Sequence, residues 1–309
     1  MKSITCYAIL SFLFFSLSSS GQQKKPSAFI DKDEFPAAMV DFAPYKMNPV
    51  FKGTGIDTWD KQIRERGYIL LENGLYKMWY TGYNGPDTIT KYLGYATSRD
   101  GIKWNRYSTA PIFNKKWTED MCVIPQDGKY YMFAEGRNDI AHSLVSNDGI
   151  KWKEEGDLTI RKVDGTPIPG PYGTPTVWIE KGKWYLFYER NDEAIWLAES
   201  SDHKNWTNVQ DEPVIKTGPA NYDFSAVAAN QVIKYKNRYY LYYHASEAPM
   251  LSSTKWTSNV AMSTDLVHWV KYPGNPIVEG DHSSPILVFD GKKYRLYTMH
   301  DKVFLYLPK

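Results

Sequence analysis

Apolar and polar positions alternate with a period of two along residues 179–192, IEKGKWYLFYERND, with a break at Lys181 and Gly182. Alternation rich in Trp, Tyr and Phe lays one face of an extended chain on a core, so the stretch predicts two strands joined by a tight turn. The second strand stops at a carboxylate, Glu189, followed by Arg190. Four more stretches repeat this word: LLENGLYKMWYTGY ending at Tyr83, IPQDGKYYMFAEGR ending at Arg137, VIKYKNRYYLYYHAS ending at Ser246 and LVFDGKKYRLYTMH ending at His300. With Gly74, Gly128, Gly182, Asn237 and Gly291 as turn markers, the intervals are 54, 54, 55 and 54 residues. Such spacing is the signature of one supersecondary unit used five times.

A second word, Ser-x-Asp-x-x-x-Trp, falls between the repeats at residues 98–104, 146–152, 200–206 and 263–269. Its Ser and Asp side chains can cap the N–H groups of a hairpin turn while the Trp packs back onto the sheet. Each repeat therefore holds an inner and an outer hairpin, four strands in all, which is the make-up of a propeller blade. A Pro followed by two apolar residues recurs at Pro49, Pro111, Pro213 and Pro276. The Pro49 copy precedes the first full repeat, and the fifth repeat ends at Lys309 after three strands. Residues 40–52 are thus expected to complete the last blade, closing the ring with strands from both ends of the chain. No run carries the period of a long helix. The expected fold is all-β, a five-bladed β-propeller over residues 40–309 with four-stranded blades.

Length and charge add bounds. Five units of about fifty residues nearly fill the 309 residues and leave little room for a second domain. A net charge of +2, from 37 basic and 35 acidic side chains, gives no footprint for nucleic acid or an anionic membrane. Residues 1–20, with Lys2, an apolar run over 9–17 and small residues to Gly21, read as a secretory signal, too short for a stable membrane span. Residues 21–39 read as a flexible tether, and the protein is expected to be secreted or periplasmic and monomeric. Cys6 lies in the signal, which leaves Cys122 alone, a small core residue rather than half of a disulfide.

The chemistry is expected on one face of the disc. In a blade the first strand lies nearest the axis and the second returns antiparallel, so the start of one and the end of the other share a face. Seven positions after the markers stand Thr81, Glu135, Glu189, His244 and Thr298; nine after, Tyr83, Arg137, Asn191, Ser246 and His300. Eight before them stand Arg66, Asp120, Thr174, Ala229 and Ser283; nine before, Glu65, Glu119, Gly173, Ala228 and His282. The feeding loops add Trp59, Asp60, Trp117, Tyr172 and Asp223. Ionisable groups near a narrow axis are costly unless paired or used, so this one-sided gathering marks a site. Clustered carboxylates with aromatic neighbours suit glycosidic bond cleavage, which needs one protonated and one ionised acid. Trp and Tyr supply faces for sugar C–H groups. The chain has no Gly-rich phosphate loop, no Cys/His metal spacing and no Gly-x-Ser-x-Gly.

The inner hairpins, the SxDGxxW turns and the five-fold count together resemble the five-bladed β-propeller glycosidases, the superfamily of glycoside hydrolase families 43, 62, 32, 68, 117 and 130. That resemblance implies a central active site built on carboxylates. Family 43 is built on an Asp base at the start of blade one, a second Asp in blade three and a Glu acid in blade four; the aligned positions here are Arg66, Thr174 and Ala229, which sets this chain apart. An acid in blade one, Asp223 before blade four and His282 before blade five are similar to the arrangement in family 117.

The expected activity is hydrolysis of a terminal glycosidic bond of a plant or algal oligosaccharide. Asp60 is the first candidate for general base and Glu65 the alternative; Glu189 or Asp223 is the acid or tunes its pKa, and Asp120 and His282 complete the wall. Arg66, Arg137 and Arg190 would position hydroxyl, carboxylate or sulfate groups. Trp59, Trp117, Tyr172, Glu135, His244 and His300 complete the substrate-binding set. No cofactor is required, although such folds can carry an axial calcium near His282. Two rivals use the same fold: a glycoside phosphorylase, which needs basic residues converging to hold phosphate, and a carbohydrate-binding propeller without catalysis.

Overall fold

The structure, a computed structural model, describes residues 34–86, 88–247 and 255–309. The signal segment with Cys6, and residues 21–33 of the expected tether, lie outside the described residues. Packing begins upstream of Met39: Phe35 and Met39 are buried, Tyr240 Oη donates to the Glu34 carbonyl at 2.7 Å, and Tyr242 Oη donates to that of Met39 at 2.8 Å. A short helix, Ala37–Val40, leads into the ring.

Five sheets make the five blades, antiparallel throughout except where Thr159–Arg161 pairs in parallel at the outer edge of blade three. Blade one comprises Gln62–Glu72, Leu75–Tyr83, Tyr92–Ser98 and Asn105–Arg106; blade two, Glu119–Gln126, Lys129–Glu135, Ala141–Ser146 and Trp152–Asp157. Blade three has Gly173–Glu180, Lys183–Glu189, Ala194–Ser200 and Asn205–Asn208, widened by Thr159–Arg161 and Ile215–Lys216. Blade four has Ala226–Tyr235, Arg238–Ser246, Trp256–Ser263 and Trp269–Lys271. Blade five has Pro285–Phe289, Tyr294–Met299 and Lys302–Pro308, and the N-terminal segment completes it in two pieces: Phe42 pairs with Pro308, and Phe51 with Val303. The expected closure by both chain ends therefore holds, with one strand divided into two.

The repeated words have local physical causes. In blades one to three the inner hairpin turns on Asn73-Gly74, Asp127-Gly128 and Lys181-Gly182, each pair with both φ values positive, as a type I′ turn requires. In the outer turn, Ser98 Oγ accepts from the Gly101 N–H at 2.9 Å and Asp100 Oδ1 from the N–H groups of Ile102 and Lys103 at 2.8 Å. The Trp that ends this word packs on the preceding blade. Trp152 meets Trp79, Trp206 meets Phe133, Trp269 meets Phe187, and Trp104 meets Tyr297 to close the circle. Aromatic surplus is thus largely inter-blade cement. Cys122 is buried beside blade three, its Sγ accepting from the Val177 N–H at 3.4 Å.

Candidate active site

Each of the first three inner strands enters the ring through a bulge. Pairing is interrupted between Arg64 and Tyr68, between Glu119 and Cys122, and between Gly173 and Thr176. Inside these bulges Glu65, Asp120 and Thr174 take left-handed φ values of 55°, 44° and 44°. A non-glycine residue held there costs about 1–3 kcal/mol, and such strain gathers where side chains must be aimed. The three residues are structural equivalents. Blade one's bulge is one residue longer, so counting back from the turn marker put Arg66 in the column that Glu65 occupies.

A cavity of about 500 Å³ opens at this end of the axis. It is lined by seven carboxyl side chains, Glu65, Asp120, Glu135, Asp139, Glu189, Asp192 and Asp281, against the cations Arg64 and His300. Glu65 joins both cations, at 2.7 Å from Arg64 Nη2 and 3.3 Å from His300 Nδ1. Burial opposes its ionisation, but His300 and Arg64 outweigh that and hold it at about 2. His300 is the mirror image, raised to about 9 by Glu65 against burial. Asp120 is raised to about 7, by burial first and then by the Glu65 charge. The two neighbouring carboxyls are thereby split, one ionised and one able to carry a proton.

Across the cavity a second group of acids shares space. A Cβ at Gly173 would lie 1.6 Å from Glu189 Oε1 and 2.9 Å from Glu135 Oε2, so both carboxylates close over this glycine. Glu135 accepts from the Thr174 N–H at 2.8 Å, and Glu189 from the Asp192 N–H at 2.6 Å. Burial and then the Asp120 and Glu119 charges push Glu135 well up. Burial and then Asp192 raise Glu189 to about 8, while burial and then Asp139 raise Asp192 to about 7. His244 is kept neutral by burial, which lowers it to about 3; it accepts from the Asn230 amide and stands edge-on to Trp256.

Of the expected catalytic residues, Glu65, Asp120 and Glu189 line the cavity, as do Glu135, His244 and His300 from the binding set. The others do not. Asp60 is buried within blade one, accepting from Arg106 Nε at 2.6 Å, Tyr80 Oη at 3.0 Å and Thr58 Oγ1 at 3.0 Å. Asp223 is buried against Lys271 of blade four, and His282 packs edge-on to Phe304 with its carbonyl accepting from Ser258. Arg66 is wholly buried beneath the floor, where its guanidinium donates to the carbonyls of Asp120, Pro175, Ala229 and Asn230 and to Thr176 Oγ1. It stitches four blades together at the axis and meets no substrate.

The aromatic candidates also serve the scaffold. Trp59 stacks on Tyr80, and Tyr172 stands edge-on to Tyr188 while donating to the Ile168 carbonyl. Arg190 lies over Trp196, and Arg137 over Trp117. Sequence reasoning passed over Arg64, Asp139, Asp192, Trp256 and Asp281 as site residues. For two of these a signal existed. Arg-Asn-Asp occurs at residues 137–139 and again at 190–192; in both copies the Asn and Asp take positive φ in a tight turn that brings the Asp to the cavity. Among the described residues no group of three or more His, Cys, Asp or Glu is arranged to hold a metal ion, and no helix is long and apolar enough to cross a membrane.

Comparison with known proteins places these features in context. No family model matches the chain. A 1,2-β-oligomannan phosphorylase from Thermoanaerobacter sp. (strain X514) is 27% identical over 228 residues, 68% of this chain and 73% of that one. An uncharacterised protein of Mycobacterium tuberculosis is 28% identical over 163 residues, and the match spans only 52% of its length. Among solved structures, a glycosyl hydrolase from Bacteroides ovatus superposes with a TM-score of 0.67 at 17% identity, over 86% of this chain and 92% of that one. The β-1,2-mannobiose phosphorylase of Listeria innocua gives 0.64 at 13% identity, over 86% and 96%. A third structure, from work on glycoside hydrolases of the GH130 family that target β-1,2 mannosidic linkages in Candida mannan, gives 0.67 at 16% identity, over 86% and 92%. The chain is a five-bladed β-propeller whose neighbours are glycosidases and mannoside phosphorylases.

Proposed function

We propose that this chain is an exported glycoside hydrolase that releases a terminal β-linked mannose, with water rather than phosphate as the acceptor. The observation that carries the reading is the pair of adjacent carboxyls in one open cavity, Glu65 held ionised by Arg64 and His300 and Asp120 raised to about 7, where it can carry a proton. Opposed pKa values on neighbouring acids are the requirement of glycosidic cleavage. Asp120 gives its proton to the glycosidic oxygen as the bond from that oxygen to the anomeric carbon breaks. Water attacks the anomeric carbon and loses its proton to the Asp192 carboxylate, raised to about 7, while Glu189 beside it, raised to about 8, keeps its own proton. Glu65, pushed down to about 2, is too weak a base and instead accepts sugar hydroxyls.

Two things support the finer choices. The oligomannan phosphorylase relative and the two mannoside-active neighbours favour a mannoside. The excess of carboxyls over cations in the cavity favours water, because a phosphate dianion would face seven carboxyl groups against two cations, Arg64 and His300. The relative's name favours phosphorolysis as the second reading. Export rests on the residue 1–20 signal pattern alone.

The test is Asp120→Asn assayed on β-1,2-mannobiose and on an aryl β-mannoside with a good leaving group. Loss of a general acid lowers kcat/KM on the disaccharide by about 10²–10⁴-fold. The aryl substrate, which needs no protonation, falls far less. Equal losses on both substrates, or none on either, would remove Asp120 from this role.

A further inference from the structure

The same face carries a second groove of opposite charge. Residues 135–139 divide the two: Glu135 and Asp139 line the central cavity, while Gly136, Arg137 and Asn138 line a neighbouring groove of about 420 Å³ with Lys115, Lys116 and Trp117. Arg137 is held in place there. Its guanidinium lies 4.9 Å from the centre of the Trp117 ring, and Nη2 donates to the Thr88 carbonyl at 3.0 Å. Its other N–H groups have no protein acceptor among the described residues. Trp117 is fixed in turn, donating from Nε1 to Glu119 Oε1 at 2.6 Å, and Glu119 pairs with Arg64 of the central cavity at 3.0 Å. Among the described residues Asp157 is the one carboxylate lining the groove, and it engages Lys116 together with Glu154, whereas Lys115 has no carboxylate partner.

We infer that this groove is a subsite for a sugar bearing an anionic substituent, joined to the sugar held in the central cavity. The inference rests on the central cavity being a glycoside site. A guanidinium lying over an indole, with N–H edges that have no acceptor among the described residues, is preorganised for bidentate contact with a carboxylate, sulfate or phosphate group. Two residues, a span of at most roughly 7 Å, separate Glu135 at the strand end from Arg137 in the turn, within the step between neighbouring sugars in a chain. The charge contrast also sets orientation. An anionic unit is repelled by the acidic centre and attracted outward, so the neutral terminal sugar is the one that enters.

The experiment reads binding, so that it is independent of turnover. The full chain is titrated with methyl β-D-glucoside, methyl β-D-glucuronide, glucose 6-sulfate and glucose 6-phosphate, with Kd taken from NMR shifts at low salt. At least one anionic sugar should bind ten-fold or more tighter than the glucoside, and which one wins identifies the substituent. Arg137→Ala should abolish that preference, and Arg137→Lys should restore part of it; melting temperatures confirm that both variants fold. Equal Kd values for neutral and all anionic sugars, or a preference that survives Arg137→Ala, would overturn the inference. Failure of the wild-type protein to cleave mannosides would sink the hydrolase reading while leaving this result untouched.

Discussion

Replacing Glu65 with Gln removes the charge that governs both His300 and Asp120. Glu65 Oε2 lies 3.3 Å from His300 Nδ1, and the two side chains are 23% and 30% exposed, so solvent screens the pair only in part. Burial disfavours the imidazolium, yet the hydrogen bond and charge of Glu65 raise it from the ordinary 6.5 to about 9. Without Glu65 only the weaker fields of Asp281 and Asp301 oppose burial, so the pKa should fall to about 6.5 or below. A fall of more than two pH units corresponds to about 3 kcal/mol of interaction. The His300 contribution is fully present below pH about 6.5 and is lost as pH rises through about 9. That of Glu65 is present above about 4.5 and lost as pH falls through about 2. The assay is an NMR titration of the imidazole ring resonances, with His300→Gln to assign the signal among the six histidines. A His300 signal that titrates at the same pH in wild type and in Glu65→Gln would refute this view of the cavity.

Other outcomes test the scaffold and the correction at Asp60. Asp60→Asn removes an ion pair and leaves Arg106 without its carboxylate, so it should lower the melting temperature while kcat stays near wild type; a loss of kcat with unchanged stability would return Asp60 to the site. Trp206→Ala empties the wedge between blades two and three and should cost about 3–5 kcal/mol in denaturant unfolding. Under 1 kcal/mol would contradict its inter-blade role. Stability should fall from mildly acidic pH to pH 9: Glu119 and Glu189, both raised to about 8, bind protons in the folded state that the unfolded chain has released, and His300 loses its charge in the same range. A melting temperature that rises across that interval would contradict the upward shifts of these three groups.

Most of the fold was legible because a repeat multiplies weak signals. One hairpin word is ambiguous; five copies in register fix the blade count, and Pro49 ahead of the first copy exposed the closure by both chain ends. The inward face was also legible, since Glu135, Glu189 and His244 sit at a fixed number of residues after a two-residue turn. The starts of the inner strands were not. A bulge absorbs residues without moving the turn that follows, so the extra residue in blade one shifted Arg66 into the place of Glu65. Arg66 then looked like a ligand-binding cation, although it is wholly buried among backbone carbonyls. Asp60 and Asp223 failed for another reason: feeding loops carry acids both for the cavity and for anchoring themselves, and only the partners, Arg106 and Lys271, distinguish the two uses.

Water as the acceptor of the released sugar can be read straight from turnover of β-1,2-mannobiose in ¹⁸O-labelled water, with and without inorganic phosphate. Hydrolysis predicts free mannose labelled at the anomeric oxygen in the first turnover, at a rate that phosphate does not raise. Mannose 1-phosphate formed only when phosphate is present would contradict it.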